Sequence, residues 1–195
     1  MPNIITVTRE FGSGGRELAK RLAEKLGYQY YDKDNLAAIA RGNNFDEKQV
    51  FPYTINRSLA FYSSSQKIAT QTLLQERQTI LEVARNGNCV IVGRGADIIL
   101  REFHPFNIFV YADMAHRVQR CLEHAPAGEN LNQKQLTKKL KQVDQARKKH
   151  YLLLGSDAWG AKENYHLCLD SSGLTIKQIV PVVAQYAQTW FKEHV

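Results

Sequence analysis

The chain has 195 residues, 44% apolar and 23% charged, with 26 Lys+Arg against 19 Asp+Glu and a formal net charge of +7. One substantial core fits in that length with room for an insertion, and no apolar run approaches the roughly 20 residues that span a bilayer. The basic balance suits a polyanionic ligand, phosphorylated metabolite or nucleic acid alike, and three scattered cysteines without metal-ligand spacing (Cys89, Cys121 and Cys168) fit a reducing, cytoplasmic setting.

The first element is "IITV", residues 4–7, a short apolar strand that begins too early to leave room for a signal peptide. It runs into "TREFGSGGRELAKRL" (8–22). The glycines there open a helix over 15–26, with Leu18, Ala19, Leu22, Ala23 and Leu26 on one stripe and Gly27 at its C-cap. Strand, glycine turn and helix together aim backbone N–H groups at an anion. The P-loop pattern G-x-x-x-x-G-K-[ST] is not met in its side chains. Aligned on Gly15, Glu10 replaces the first glycine, Arg16 the lysine and Glu17 the hydroxyl residue. Gly12, Ser13, Gly14, Gly15, Arg16 and Glu17 are nonetheless the candidate phosphate site, Arg16 keeping lysine's charge in a longer, forked form. Glu17 either turns outward to pair with Arg21 or ligates a metal ion.

A second strand at 28–31 ends in "YYDKDNL", where Asp32 or Asp34 caps the next helix. Residues 42–88 combine polar turns with a helix that turns Ala69, Leu73, Ile80 and Ala84 inward. "CVIV" (89–92) and "IFVY" (108–111) are near-continuous apolar, as strands covered on both faces are. Between them, "VGRGAD" makes a sharp turn from which Arg94 projects into the crevice at the sheet edge. Asp113 caps a helix carrying Arg117 and Arg120 on one face. A basic helix at about 132–150 bears Asp144, Arg147 and Lys148, with Leu136, Leu140 and Val143 inward, and Trp159 and Tyr165 beyond it suit core packing. A fifth strand at 165–169 precedes a last helix with a Thr175–Gln178 capping box, whose Pro181 predicts a kink or a late start. The alternation predicts a three-layer α/β domain of about five mostly parallel strands with helices on both faces. It is a single domain over 1–195 with a core of 1–41, 89–124 and 165–195. Insertions at 42–88 and 125–164 lie over the carboxyl edge of the sheet, where such folds hold ligands. The six histidines show no ligand pairing, so no metal site is assigned.

"REFGSGGRELAKRLAEKLGYQYYDKDNL", "VIVGRGAD", "IFVYADMAHRVQR", "VDQARKKHY", "DAWG" and "YHLCLDSSGLTIKQIV" occur in an order that resembles the cytidylate kinase-like family. That family is a branch of the P-loop nucleoside monophosphate kinases with G-S-G-G-R in place of G-x-G-K. The resemblance covers nearly the whole chain and is weakest over 42–88. It implies a P-loop NTPase fold in which 42–88 lies on the acceptor side and 125–164 forms a lid. It implies transfer of the γ-phosphoryl of ATP to a nucleoside monophosphate, CMP or dCMP first. Mg²⁺ would come with the ATP, held mainly by nucleotide and water, with Ser13 the nearest substitute for the missing hydroxyl ligand. By resemblance, Gly12 to Glu17 hold the donor phosphates, and Asp32, Arg41, Arg94, Asp97, Arg117 and Arg120 the acceptor. Asp144, Arg147 and Lys148 belong to the lid, and Arg16 and Arg147 are catalytic. The family has G-R-D where this chain places Gly95 and Ala96 between Arg94 and Asp97. A kinase of another small phosphate acceptor or alcohol is the alternative, as is a nucleotide-binding regulator without turnover. An RNA-binding role for the basic helix lacks interleaved aromatics and a recognised motif.

Overall fold

The sheet forms around three near-continuous apolar strands too hydrophobic to leave either face in water, with a partly exposed strand at each edge. The computed structural model describes residues 2–40, 42, 66–125 and 132–194. Its elements are β1 (Ile4–Arg9), α1 (Gly15–Leu26), β2 (Gln29–Tyr31), α2 (Lys33–Ala40), α3 (Gln66–Arg85), β3 (Cys89–Val92), α4 (Ala96–Ile99) and a 3-10 turn at Arg101–Phe103. There follow β4 (Phe106–Tyr111), α5 (Met114–Glu123), α6 (Gln133–Leu153), a 3-10 turn at Lys162–Asn164, β5 (Leu167–Asp170) and α7 (Ile176–Glu193). The strand order is β2-β3-β1-β4-β5, every neighbour parallel, with Val7 opposite both Val92 and Ile108. All five carboxyl ends therefore meet on one edge, and β1 delivers the glycine loop to its middle.

Ile5 and Val7 point to one face of β1, where Leu18, Leu22 and Ala23 of α1 and Ile179, Val183 and Ala187 of α7 cover them. Ile4 and Ile91 point to the other, beneath Leu36 of α2, Ile80 and Ala84 of α3, and Ile99. This is the three-layer P-loop arrangement. Arg41 and residues 43–65, about half of the acceptor-side insertion, lie outside the described residues.

One element differs from the sequence expectation. The last helix neither starts late nor breaks at Pro181: it begins after Thr175 and runs to Glu193. Gln178 Oε1 accepts from the Thr175 backbone N–H at 3.0 Å and from its hydroxyl at 2.7 Å, fixing the start. Pro181 is on the exposed side, as is Lys177, whose carbonyl loses its helical donor where water can replace it. The helix α6 follows its expectation and runs three residues further, to Leu153. Asn132 and Gln135 cap it reciprocally, at 2.9 and 3.1 Å. Leu136, Leu140 and Val143 are inward as expected, and Asp144, Arg147, His150 and Tyr151 are buried with them. Leu136, Leu140 and Val143 pack on Phe11 of the glycine loop and Val118 of α5. Among the described residues, no helix is long and apolar enough to cross a membrane.

Candidate active site

The loop from Glu10 to Gly14 is built on glycines that no other residue could replace without movement. Gly12 and Gly14 have φ of 82° and 80°, in the left-handed region. A Cβ at Gly12 would lie 2.8 Å from the Arg117 carbonyl oxygen, at Gly14 2.6 Å from Ile176 Cδ1, and at Gly15 2.6 Å from Arg9 Cβ. No side chain caps α1 at Gly14, which leaves the first N–H groups of a twelve-residue helix to an anion.

The carbonyls of the same loop are all engaged from behind. Arg147 Nη1 donates to Arg9 O (2.8 Å), Ser13 Oγ to Glu10 O (2.9 Å) and Arg117 Nε to Phe11 O (2.7 Å). Arg120 Nη1 donates to Gly12 O (2.9 Å) and Ser171 Oγ to Ser13 O (2.6 Å). Five consecutive carbonyls are thus engaged. So are the N–H groups of Glu10 (to Val110 O, 2.9 Å), Phe11 (to Asp144 Oδ1, 2.8 Å) and Ser13 (to Glu10 O, 3.4 Å). The donors offered to an anion are therefore those at the uncapped start of α1. A helix start held like this is shaped in advance to receive an anion.

The arginines doing this are a single network. Asp144 Oδ1 accepts from the Phe11 N–H at 2.8 Å, and its Oδ2 pairs closely with Arg117 Nη2. Arg117 Nη1 is 3.2 Å from Glu10 Oε2, and the Arg147 guanidinium lies 5.4 Å from the Phe11 ring centroid. Arg117, Arg120 and Arg147, expected on substrates, here brace the loop. Lys148 lies 5.6 Å from the Trp159 ring.

Arg16 leaves the loop sideways. Its guanidinium is 2.5 Å from Asp32 Oδ2 and 3.4 Å from Asp34 Oδ2. Burial works against the charges of this pair, but each outweighs it for the other: the Arg16 pKa is raised and the Asp32 pKa lowered. Asp32 also accepts from the Tyr30 hydroxyl (2.9 Å) and from the Asp34 and Asn35 N–H groups (2.9 and 3.3 Å), so Asp32 caps α2. Glu17 turns outward and accepts from Arg21 Nε at 2.7 Å.

On the far side of β1, Gly93, Arg94 and Gly95 are successive left-handed residues, with φ of 72°, 62° and 65°. Left-handed backbone costs an arginine about 1–2 kcal/mol, so its surroundings must hold it there. Arg94 Nη2 pairs with Glu76 Oε1 of α3 at 3.0 Å in a buried setting. His150 of α6 hydrogen-bonds the Arg94 backbone; burial and then the Arg94 charge push its pKa down to about 4. Asp97 turns beneath α4, where the Tyr151 hydroxyl donates to it at 2.6 Å and lies 2.9 Å from Thr8 Oγ1. Burial raises the Asp97 pKa despite that bond. Asp97 lines a cavity of about 570 Å³ with Arg101, Asn107 and His166. Arg9, Tyr151 and Ser171 were not singled out from sequence. Each sits inside a quoted motif, but only the fold reveals what it touches.

A model of the cytidylate kinase-like family matches residues 4–173. The chain belongs to that family. A search of the curated proteins finds no match. Among solved structures, this cytidylate kinase-like protein is similar to an uncharacterized protein from Eubacterium ventriosum, with a TM-score of 0.72 and 24% identity over 95% of this chain and 98% of that one. Shikimate kinase from Bacteroides thetaiotaomicron matches with a TM-score of 0.62 and 16% identity over 98% and 99% of the two chains. TT1252 from Thermus thermophilus matches with a TM-score of 0.56 and 21% identity, over 96% and 97%. The fold is that of the P-loop kinases.

Proposed function

We propose that this cytidylate kinase-like protein transfers the γ-phosphoryl group of ATP to a small acceptor, a nucleoside monophosphate with CMP or dCMP first. The observation that carries this is the loop of residues 9–15: an uncapped helix start, close-packed glycines and five carbonyls engaged by the surrounding side chains. That cradle fits a chain of phosphates. Among the described residues no group of three or more His, Cys, Asp or Glu could hold a metal, and the Ser13 hydroxyl is committed to Glu10 O. An ion carried by the nucleotide and water, with Asp32 and Asp34 nearby, fits this donor set. When bound, Mg²⁺ supplies charge neutralisation along the phosphates.

With a monophosphate acceptor, the bond from the γ-phosphorus to its bridging oxygen breaks as one forms to an acceptor phosphate oxygen. ADP leaves with the electron pair, and a dianionic acceptor needs no general base. The protein's part is placement and charge. Gly12 to Gly15 hold the donor; Arg117, Arg120, Arg147 and Asp144 keep that loop in shape. The acceptor is assigned to the ground between Asp32, Asp34 and Arg94. A nonphosphorylated alcohol acceptor is the second reading, favoured by the close fold match to a shikimate kinase and by two carboxylates beside the loop. Steady-state assays with Mg²⁺ and ATP across CMP, dCMP, UMP, AMP and shikimate decide between them. Turnover of CMP or dCMP above the rest is expected. ATP binding with no transfer to any acceptor would leave a nucleotide-binding regulator.

A further inference from the structure

We propose that the cavity beside Asp97 is a second ligand site, at the edge of the sheet opposite the phosphate loop, for a small organic anion built on a flat ring: an aromatic or heteroaromatic carboxylate or monophosphate. Its place follows from two elements that run the depth of the molecule. β4 lines the cavity with Asn107, which pairs with Thr6 of β1; three residues later Val110 pairs with Arg9, where the glycine loop begins. α7 starts with Ile176 against Gly14 and reaches the cavity with Trp190 and His194. Trp190 stands fourteen residues after Ile176, roughly 21 Å along the helix axis. Neither the glycines nor Arg16 line the cavity.

At about 570 Å³ the cavity is far larger than an inorganic ion needs and lies in the range that small organic ligands fill. Its buried part is Asp97 and Tyr151, 9% and 4% exposed. These two satisfy each other: the Tyr151 hydroxyl donates to Asp97 Oδ1 at 2.6 Å, and burial works against the Asp97 charge. The exposed part is basic. Arg101 and His104 stand on the turn before β4, His166 before β5 and His194 after α7. The Arg101 charge acts on Asp97, yet among the described residues no carboxylate forms an ion pair with it. A permanently charged, forked guanidinium there selects an anion and disfavours a cation. The ring follows from the aromatic wall. His166 lies 4.8 Å from Trp190, and His194 stacks on Trp190 at 4.5 Å and 11°. Hydrogen bonds hold both imidazoles in place. His166 Nδ1 accepts from the Asn107 N–H at 2.9 Å, and His194 Nδ1 donates to Trp190 O at 2.8 Å. The neutral His166 ring therefore carries its proton on Nε2, a second donor for an anionic group. A flat ring gains contact along that wall, which an aliphatic acid of equal volume forgoes.

The test is calorimetric titration of the full chain with phenyl phosphate, benzoate, inorganic phosphate and benzyl alcohol, each with and without excess tripolyphosphate and Mg²⁺. The expected result is one saturable site for phenyl phosphate or benzoate that tripolyphosphate leaves in place. Whichever acid binds more tightly identifies the anionic group. Inorganic phosphate, which lacks the ring, and benzyl alcohol, which lacks the charge, should each bind about tenfold more weakly or worse. Arg101→Gln should lose about tenfold for the ring-bearing acids and Arg101→Lys recover part of it; His194→Ala should weaken them as well. Arg101 and His194 are exposed, so the variants keep the core, and melting curves check this. Absence of saturable binding up to about 10 mM overturns the site. So does affinity unchanged in Arg101→Gln, or equal binding of benzyl alcohol. Displacement by tripolyphosphate also overturns it, and puts the acid in the phosphate loop instead. ATP affinity should be the same in Arg101→Gln as in the unsubstituted chain, so this proposal and the kinase reading fail separately.

Discussion

Asp32 is the most heavily engaged carboxylate beside the loop, meeting Arg16, the Tyr30 hydroxyl and two backbone N–H groups. Its folded pKa lies below the unfolded value, so its contribution to stability is complete above about pH 4 and is lost as acid protonates it. Asp32→Asn should cost about 2 kcal/mol at pH 7 and remove part of the acid limb. Urea titrations from pH 2 to 7 measure both, and parallel acid limbs for the two proteins would sink the assignment. His150 gives the neighbouring window. Its folded pKa of about 4 lies below the unfolded 6.5, so the folded state resists protonation and stability falls as pH drops from 6.5 towards 4. The full loss across that window is about 3 kcal/mol. His150→Gln should flatten the same stretch of the curve, with acid stability matching or exceeding wild type near pH 4.5.

At the scale of elements, α6 decides how the lid is to be understood. A lid that closes only on ligand would exchange its amides fast when empty. Here Leu140 and Val143 are fully buried, and Asp144 and Arg147 are bonded to the loop. Hydrogen exchange at Val143–Tyr151 should therefore be slow before any nucleotide is added, and little changed after. Fast exchange there in the ligand-free protein would return α6 to a closing role. Asp144→Asn should weaken ATP binding by about tenfold without touching nucleotide, because the amide keeps one acceptor oxygen where the carboxylate gives one to the Phe11 N–H and one, with its charge, to Arg117; calorimetry reads it directly. The strands and the helix at 15–26 were legible because apolar runs and a 3.6-residue stripe are local facts. The duties of Arg117 and Arg147 were not. Their acceptors, Phe11 O and Arg9 O, stand 106 and 138 residues away, and sequence records a guanidinium's charge but not its target. Arg16 likewise meets its carboxylate partner on a different element, sixteen positions on.

For the whole molecule, the proposed function links nucleotide binding to folding through one loop. ATP at a hundred times its dissociation constant should add about 2.7 kcal/mol to stability, raising the melting temperature by roughly 5–10 °C in a chain of this size. Gly14→Ala should abolish that rise, since its Cβ would meet Ile176 of α7 and its φ of 80° disfavours any side chain. An unaltered thermal shift in that variant would place the nucleotide elsewhere.

The clamped carbonyls bear on protein engineering. Residues 8–17 look like a cassette, yet their conformation is dictated by Arg117 and Arg120 from α5, Arg147 from α6 and Ser171 from beyond β5. Transplanted alone into a lysine-type kinase, the segment would arrive without its mould and relax into an ordinary glycine turn. The reverse graft fares no better: installing lysine and serine at positions 16 and 17 would offer Asp32 and Asp34 a shorter point charge in place of the fork that meets both, and would take Glu17 from Arg21. The unit that can be exchanged between the two kinds of kinase is five scattered pieces of chain moved together.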